Sequence, residues 1–228
     1  MNHVTAALVG GLFDEGGFAA WARPVLFGTA GDAVCGLLPD AVDACCFVHD
    51  DREPAIAGVQ SLALDAANRF AALKNLPESA HALVIAAPIA LTEADALTHL
   101  AETHMDTGYG VSVLTAEQQG FDEEGQPIPR DAHVLAAMFT RDILMKVLET
   151  GADTLDALVA AAVAAGAQKG VAVTNEIIEI CDGSSAYIAQ LAMIQRVNFS
   201  LIEKGVQIFD PANTYIAPDA GIAPGATI

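Results

Sequence analysis

Residues 82–104, Ala-Leu-Val-Ile-Ala-Ala-Pro-Ile-Ala-Leu-Thr-Glu-Ala-Asp-Ala-Leu-Thr-His-Leu-Ala-Glu-Thr-His, set the fold class. Ala82–Ala87 is an unbroken apolar run stopped by Pro88, the pattern of a short strand covered on both faces. Thr92–His104 then reads as a helix. Thr92 can cap it, Glu93 and Asp95 suit the positive end of its dipole, and Leu97 and Leu100 share a face. A buried strand followed by a covering helix is the repeating unit of α/β architecture.

The same alternation extends in both directions. Upstream, Val4–Val9 reads as a strand broken by Gly10-Gly11, and Ala44–His49 as a second strand left at Asp50-Asp51. Pro54–Leu73 between these units has helical composition. Downstream, Val111–Thr115 and His133–Phe139 are strands, and the polar, Gly- and Pro-bearing stretch Glu117–Arg130 is a loop or short hairpin. Arg141–Glu149 is a helix. A second helix, capped by Asp153 or Thr154, carries Leu155, Leu158, Val159 and Ala162 on one stripe. Gly170–Val173 is a further strand, Glu176–Ile180 a short extended piece, and Ser184–Asn198 a helix. The expected sheet is mainly parallel with helices on both faces.

The end of the chain changes character. Ile216, Ile222 and Ile228 are spaced by six, Ala217 and Ala223 follow the first two, and Gly221 and Gly225 fall in the turns. A six-residue period fits a left-handed β-helix coil with one aliphatic side chain per flat face. One coil cannot bury itself, so such a tail packs on its own domain or on other copies.

Composition narrows the function classes. The 228 residues are 53% apolar, ample for a core. With 29 acidic and 10 scattered basic residues the net charge is −19, which disfavours nucleic acid and anionic lipid. The longest apolar stretch, Leu155 to Ala167, is too short to span a bilayer, and the first residues lack a secretory pattern. Cys35, Cys45, Cys46 and Cys181 form no C-x-x-C pair and read as free thiols in a reducing, cytoplasmic compartment. Cys45 and Cys46 alternate faces if their run is a strand.

Candidate chemistry is sparse. Gly10-Gly11 stands where α/β proteins place phosphate-binding turns, but Asp14 and Glu15 follow instead of a lysine, which favours a plain turn. His49-Asp50-Asp51 sits at the carboxyl end of a strand, where carboxylates could hold a divalent cation, although adjacent carboxylates diverge and a solvated turn is favoured. His104 and Asp106 read as polar groups ending a helix. No glycine-flanked nucleophile and no H-E-x-x-H is present. The residues alone specify no reaction.

Met193-Ile194-Gln195-Arg196-Val197-Asn198 and Lys204-Gly205-Val206-Gln207-Ile208-Phe209-Asp210-Pro211-Ala212-Asn213-Thr214-Tyr215-Ile216 resemble one stretch of the bacterial bifunctional N-acetylglucosamine-1-phosphate uridyltransferases, where a connecting helix enters the left-handed β-helix. Arg23-Pro24-Val25-Leu26 with Gly31, Thr154-Leu155-Asp156 and Glu176–Asp182 are similar, in order, to further segments of that family. The resemblance implies a Rossmann-like nucleotidyltransferase domain over 1–205, including the helix at 184–198, and a first hexapeptide-repeat coil over 206–228. It implies joining of UTP to N-acetylglucosamine 1-phosphate with Mg²⁺. It also points to Gly10, Gly11 and Arg23 for nucleotide and Thr154 and Asp156 for substrate.

The departures fall on the chemistry. The family's phosphate-facing lysine is Pro24 here, with Arg23 beside it as a substitute, and its metal ligands align with Ala87 and Cys181. The uracil-binding glycines fall near Ser61–Asp65, and the sugar-holding segment is missing around Pro127–Val134. Thr107-Gly108-Tyr109-Gly110 matches a family tetrapeptide on the wrong side of a strand. The expectation is therefore a relative impaired in catalysis that keeps a binding or assembly role, with nucleotide or sugar nucleotide as ligand and no cofactor. Two alternatives stay open. One is an active, divergent sugar-1-phosphate nucleotidyltransferase recruiting Mg²⁺ through Asp50, Asp51 or Asp182. The other is a non-enzymatic module that forms homo-oligomers through its tail.

Overall fold

A computed structural model describes residues 3–91, 95–116, 119–121, 127–129, 133–174, 177–218 and 220–228. In chain order the elements are β1 (Val4–Val9), β2 (Pro24–Val25), β3 (Gly28–Thr29), α1 (Ala30–Cys35), β4 (Val42–His49), β5 (Gln60–Ala63), β6 (His81–Ile85), β7 (Ile89–Leu91) and α2 (Ala96–Thr107). There follow β8 (Val111–Ala116), β9 (Gln119–Phe121), β10 (Pro127–Pro129), β11 (Val134–Thr140), α3 (Arg141–Leu148), α4 (Leu155–Ala164), β12 (Lys169–Thr174), β13 (Ile177–Glu179) and α5 (Gly183–Glu203).

The central sheet has seven strands in the order β12-β8-β11-β6-β1-β4-β5. Neighbours pair in parallel except around β11, which runs antiparallel to both β6 and β8. Alternate side chains of the inner strands enter different cores, whereas Val171 and Val173 of the edge strand β12 are exposed. Val4, Ala6 and Leu8 of β1, with Leu83 and Ile85 of β6, meet Val34 of α1 and Leu97 and Leu100 of α2. Ala7 and Val9, with Ala82 and Val84, meet Leu144 and Val147 of α3 and the Leu155, Leu158, Val159 and Ala162 stripe of α4. Burial on both faces is why these strands read as continuous apolar runs. A run buried on both sides carries no signal for direction, so the sense of β11 was not legible.

The helix ends follow local chemistry. The Thr154 hydroxyl oxygen accepts the Ala157 N–H at 3.1 Å and starts α4 as expected. Asp182 and Ser185 form a reciprocal cap that starts α5, which runs to Glu203, five residues beyond the expected Asn198. The expected Thr92 cap lies outside the described residues, and α2 begins after Asp95, whose side chain makes no capping bond.

Two expectations are corrected. Pro54–Leu73 is not a helix. Gly58 adopts φ +76° in a turn, Gln60–Ala63 then pairs in parallel with Cys46–His49, and Ala71–Asn75 forms a 3₁₀ turn. Between them the Asp65 and Asn68 side chains accept the N–H groups of Ala67 and Phe70, holding the backbone in turns that override its alanine-rich composition. His104 is not a helix-ending polar group. It is fully buried, with Nδ1 2.9 Å from Ser112 Oγ and Nε2 3.2 Å from His81 Nδ1. Gly108, at φ +64°, closes α2 by donating its N–H to the His104 carbonyl.

After α5 no extended strand forms among the described residues. The tail makes one loop whose ends run side by side: Gln207 and Thr227 form a parallel bridge, with Gln207 N–H on the Ala226 carbonyl and Ile228 N–H on the Gln207 carbonyl, both at 2.8 Å. Ile216 and Ile222 pack with Val206 and with Leu201 of α5, whereas Ile228 remains 43% exposed. Buried Asn198 ties the loop to α5 through Nδ2 bonds to the Pro211 and Thr214 carbonyls.

Candidate functional site

The parallel strands β1, β4 and β6 end together, and the turns beyond them bring charged groups onto one edge of the sheet. Gly10 extends the β1–β4 pairing, donating its N–H to the Val48 carbonyl at 2.7 Å. Beyond β4, Asp50 accepts the Arg52 backbone N–H and holds its guanidinium, and the Glu53 N–H bonds to the Asp50 carbonyl. This tight turn swings Glu53 back beneath the glycine pair. Glu53 is 3% exposed, and its Oε2 accepts the Gly11 N–H at 2.8 Å. A Cβ on Gly10 would stand 2.2 Å from that same oxygen, so glycine is what admits the carboxylate.

Arg69 enters from the opposite side. The turn held by Asp65 and Asn68 directs its guanidinium onto the carbonyls of Val9 and Ala86, which end β1 and continue from β6. Strand-end carbonyls carry partial negative charge, and the cation sits where they converge. Burial lowers the Arg69 pKa, opposed by the negative charges of Glu53 and Glu179. Burial raises the Glu53 carboxyl above the ordinary carboxylate range, opposed chiefly by the Gly11 hydrogen bond. Both side chains also hold a buried atom without a partner, Oε1 of Glu53 and Nε of Arg69.

A histidine completes the edge. His133 lies 3.0 Å from Asp156 through Nδ1 and 3.9 Å from Glu179 through Nε2, and Asp156 also accepts the Val134 N–H. Glu179 interacts electrostatically with both His133 and Arg69, so Glu53, Arg69, Glu179, His133 and Asp156 form a chain of alternating charge capacity across the sheet edge. Beside it opens a cavity of about 330 Å³ lined by Gly11, Leu64, Asp65, Asn68, Arg69 and Asp153, among others.

The expected residues distribute as follows. Gly10 and Gly11 lie at this edge, and Asp156 joins it through His133. Thr154 spends its hydroxyl on the α4 cap. Arg23 forms an ion pair with Asp14 and lies over the Phe18 ring, 4.4 Å from its centroid. Asp14 therefore does not confront an incoming phosphate as an unopposed charge. Asp50 is committed to Arg52, Asp51 is exposed, and Asp182 caps α5. The sequence reading missed Glu53, Arg69, Glu179 and His133. Glu179 lies within the Glu176–Asp182 segment but was not singled out there, the other three stand in no motif, and all four become relevant only where the fold brings them together.

Mg²⁺ fits poorly at Ala87 and Cys181, the positions that the resemblance aligned with metal ligands. Ala87 offers no side-chain oxygen, Cys181 offers a thiol, and Mg²⁺ requires hard oxygen donors. Among the described residues no three His, Cys, Asp or Glu side chains stand close enough together to hold a metal ion. No helix among them is long and apolar enough to cross a membrane.

No protein-family model and no curated protein matches the sequence. Solved structures do match the fold. The 2-C-methyl-D-erythritol 4-phosphate cytidylyltransferase of Thermus thermophilus superposes with a TM-score of 0.60 at 15% identity, covering 84% of this chain and 99% of its own. That of Francisella tularensis gives 0.60 at 14% identity over 84% and 100%. The 4-diphosphocytidyl-2C-methyl-D-erythritol synthase of Anaerococcus prevotii gives 0.57 at 10% over 84% and 97%. The chain has the nucleotidyltransferase fold. Two of these neighbours are cytidylyltransferases and none is a uridyltransferase by name, so the finer resemblance is not reached by the fold, and at such identities nothing beyond the fold transfers.

Proposed function

We propose that this nucleotidyltransferase fold binds a nucleotide or sugar nucleotide beside Arg69 and lacks the cation-dependent transfer step. One observation carries the reading: the Gly11 N–H, which a phosphate loop would present to its ligand, already donates to the buried Glu53 carboxylate. A carboxylate in that place supplies the anion from within, and a second anion brought alongside would meet repulsion rather than a cradle. Phosphoryl transfer depends on cations that offset the charge of the transferring group. Ala87 and Cys181, at the family's metal positions, contribute neither charge nor a hard oxygen ligand. A nucleoside portion remains compatible with the cavity beside Asn68 and Arg69.

The tail supports a second element of the proposal. Its parallel bridge between Gln207 and Thr227, and the burial of Ile216 and Ile222, favour one superhelical coil of the hexapeptide type over a hairpin. Tail residues Phe209, 83% exposed, and Tyr215 leave apolar surface suited to assembly.

A thermal-shift screen of nucleoside triphosphates and sugar nucleotides, with and without Mg²⁺, tests the binding half. Ligand at 100 times its Kd stabilises the native state by about 2.7 kcal/mol. The expected outcome is a shift independent of Mg²⁺. A coupled assay with UTP and N-acetylglucosamine 1-phosphate, and with CTP and a sugar phosphate, should show no pyrophosphate release above background. Robust Mg²⁺-dependent release overturns the reading and favours the active, divergent nucleotidyltransferase.

A further inference from the structure

Helix α5 carries an apolar stripe that its own domain leaves uncovered. Ala186, Ala189 and Met193 pack on Val25, Ala30 and Ile180, and Val197 and Leu201 pack on Val206 and Ile216 of the tail loop. The opposite side of the helix presents Ile188, Leu191, Gln195, Phe199 and Ile202. Ile188 and Phe199 are 52% and 60% exposed, Gln195 and Ile202 are exposed as well, and Leu191 is half-buried. Single exposed apolar side chains are ordinary, but a continuous stripe of them marks an interaction surface.

The order of residues says what covers it. Successive spacings of 3, 4, 4 and 3 keep the stripe at 3.5 residues per turn, the period of a coiled-coil seam. The pattern is also symmetric about Gln195. In either direction a large apolar residue stands four positions away (Leu191, Phe199) and an isoleucine seven away (Ile188, Ile202). A second α5 laid antiparallel therefore meets the same order of side chains. Charge points the same way. The net charge of −19 opposes self-association over most of the surface, yet α5 holds one basic and one acidic residue, Arg196 and Glu203, and the stripe holds neither.

We propose that the exposed stripe of α5 is a homodimer interface, in which two copies of this chain pair antiparallel across a two-fold axis at Gln195. Both copies use the same patch, so the contact closes on itself and does not propagate. Leu191 packs with Phe199 of the partner subunit, and Ile188 with Ile202 of the partner subunit. At the axis one Gln195 amide donates to the other, and a polar pair inside an apolar seam fixes register. The helix has 21 residues and is about 32 Å long, so a strip about 10 Å wide offers roughly 300 Å² per partner. A standard interface uses about 800 Å² per partner, so this dimer is weak and depends on concentration. Salt strengthens it by screening the net charge. The interface is separate from the nucleotide site and from the tail surface at Phe209 and Tyr215.

Sedimentation velocity and light scattering on the full chain from about 10 μM to about 1 mM test the pairing. The weight-average mass should rise from one chain toward two, and further at about 0.5 M than at about 0.1 M salt. Phe199→Asp, which puts a carboxylate into the seam, should stay monomeric throughout, whereas Phe209→Ser should rise as the wild type does. Cysteine cross-linking locates the axis without depending on the Asp variant. In a Cys181→Ser background, Gln195→Cys should give a disulfide-linked dimer on mild oxidation, because this residue meets its own copy. Ile188→Cys should not, because its own copy lies about 21 Å away along the seam. A monomer at every concentration, the outcome if the stripe serves a different protein, overturns the proposal. So does a dimer that survives Phe199→Asp or is lost with Phe209→Ser, or equal cross-linking of the two cysteine variants.

Discussion

Protonation of the buried His104 should cost the protein stability across a defined pH window. The ring is fully enclosed between α2 and the sheet, and its nitrogens are committed to Ser112 and His81. Burial, with a smaller contribution from the neighbouring His81, lowers its pKa to about 4 from the ordinary 6.5. The unfolded chain therefore binds a proton between these values that the folded chain refuses. The stabilising effect is fully present above 6.5 and is lost as pH falls through the window to about 4. The difference of about 2.5 pKa units corresponds to about 3 kcal/mol, of which about 2 kcal/mol is gone by about pH 5. Burial also lowers the His81 pKa, so the neighbouring ring adds in the same direction. Urea unfolding at pH 7 and pH 5 measures this as a change in midpoint on the order of 1 M at an m-value of about 2 kcal/mol/M. Because many carboxylates titrate nearby in pH, the comparison is with His104→Gln, which retains a hydrogen-bonding side chain that does not titrate. The variant is expected to be less stable at pH 7 and to lose most of the difference between the two pH values. If it keeps the wild-type fall, the buried ring is not the source and the reasoning fails.

Glu53→Ala leaves the Gly11 N–H without its acceptor and removes a counter-charge from Arg69, so it should destabilise by about 3–5 kcal/mol, whereas Glu53→Gln keeps an acceptor and should cost about half as much. Equal midpoints for the two variants in urea would show that the carboxylate makes no such contact. Gly10→Ala places a methyl group against the Glu53 carboxylate and the Val48 carbonyl, and a loss of about 1–3 kcal/mol by calorimetry is expected. Asn198→Ala cuts both bonds that hold the tail loop to α5, so limited proteolysis should cleave between 209 and 218 well before the domain is attacked. An unchanged cleavage pattern would mean that Ile216 and Ile222 secure the tail without it.

The sequence by itself determined the existence of the strands at Val4–Val9, Val42–His49, His81–Ile85 and Val111–Ala116 and the start and buried stripe of α4. These are properties of contiguous residues. An apolar run of strand length needs cover on both faces, and a threonine ahead of a 3.6-residue stripe starts a helix wherever it occurs. The glycine pair after the first strand was legible for the same reason. The direction of β11 was not, because a strand buried on both sides looks the same in either sense. Gln60–Ala63 lay inside an alanine-rich segment, and only the free edge of β4 drew it into the sheet. Gly10, Gly11 and Asp156 of the candidate site were named from the sequence, and the rest of it belongs to the tertiary structure. Glu53 and Arg69 come from separate turns, Glu179 ends β13 and His133 precedes β11, and the four have no common spacing. Their electrostatic coupling depends on distance and burial, which the chain acquires only when β1, β4 and β6 end side by side and the turns beyond them close over the same edge.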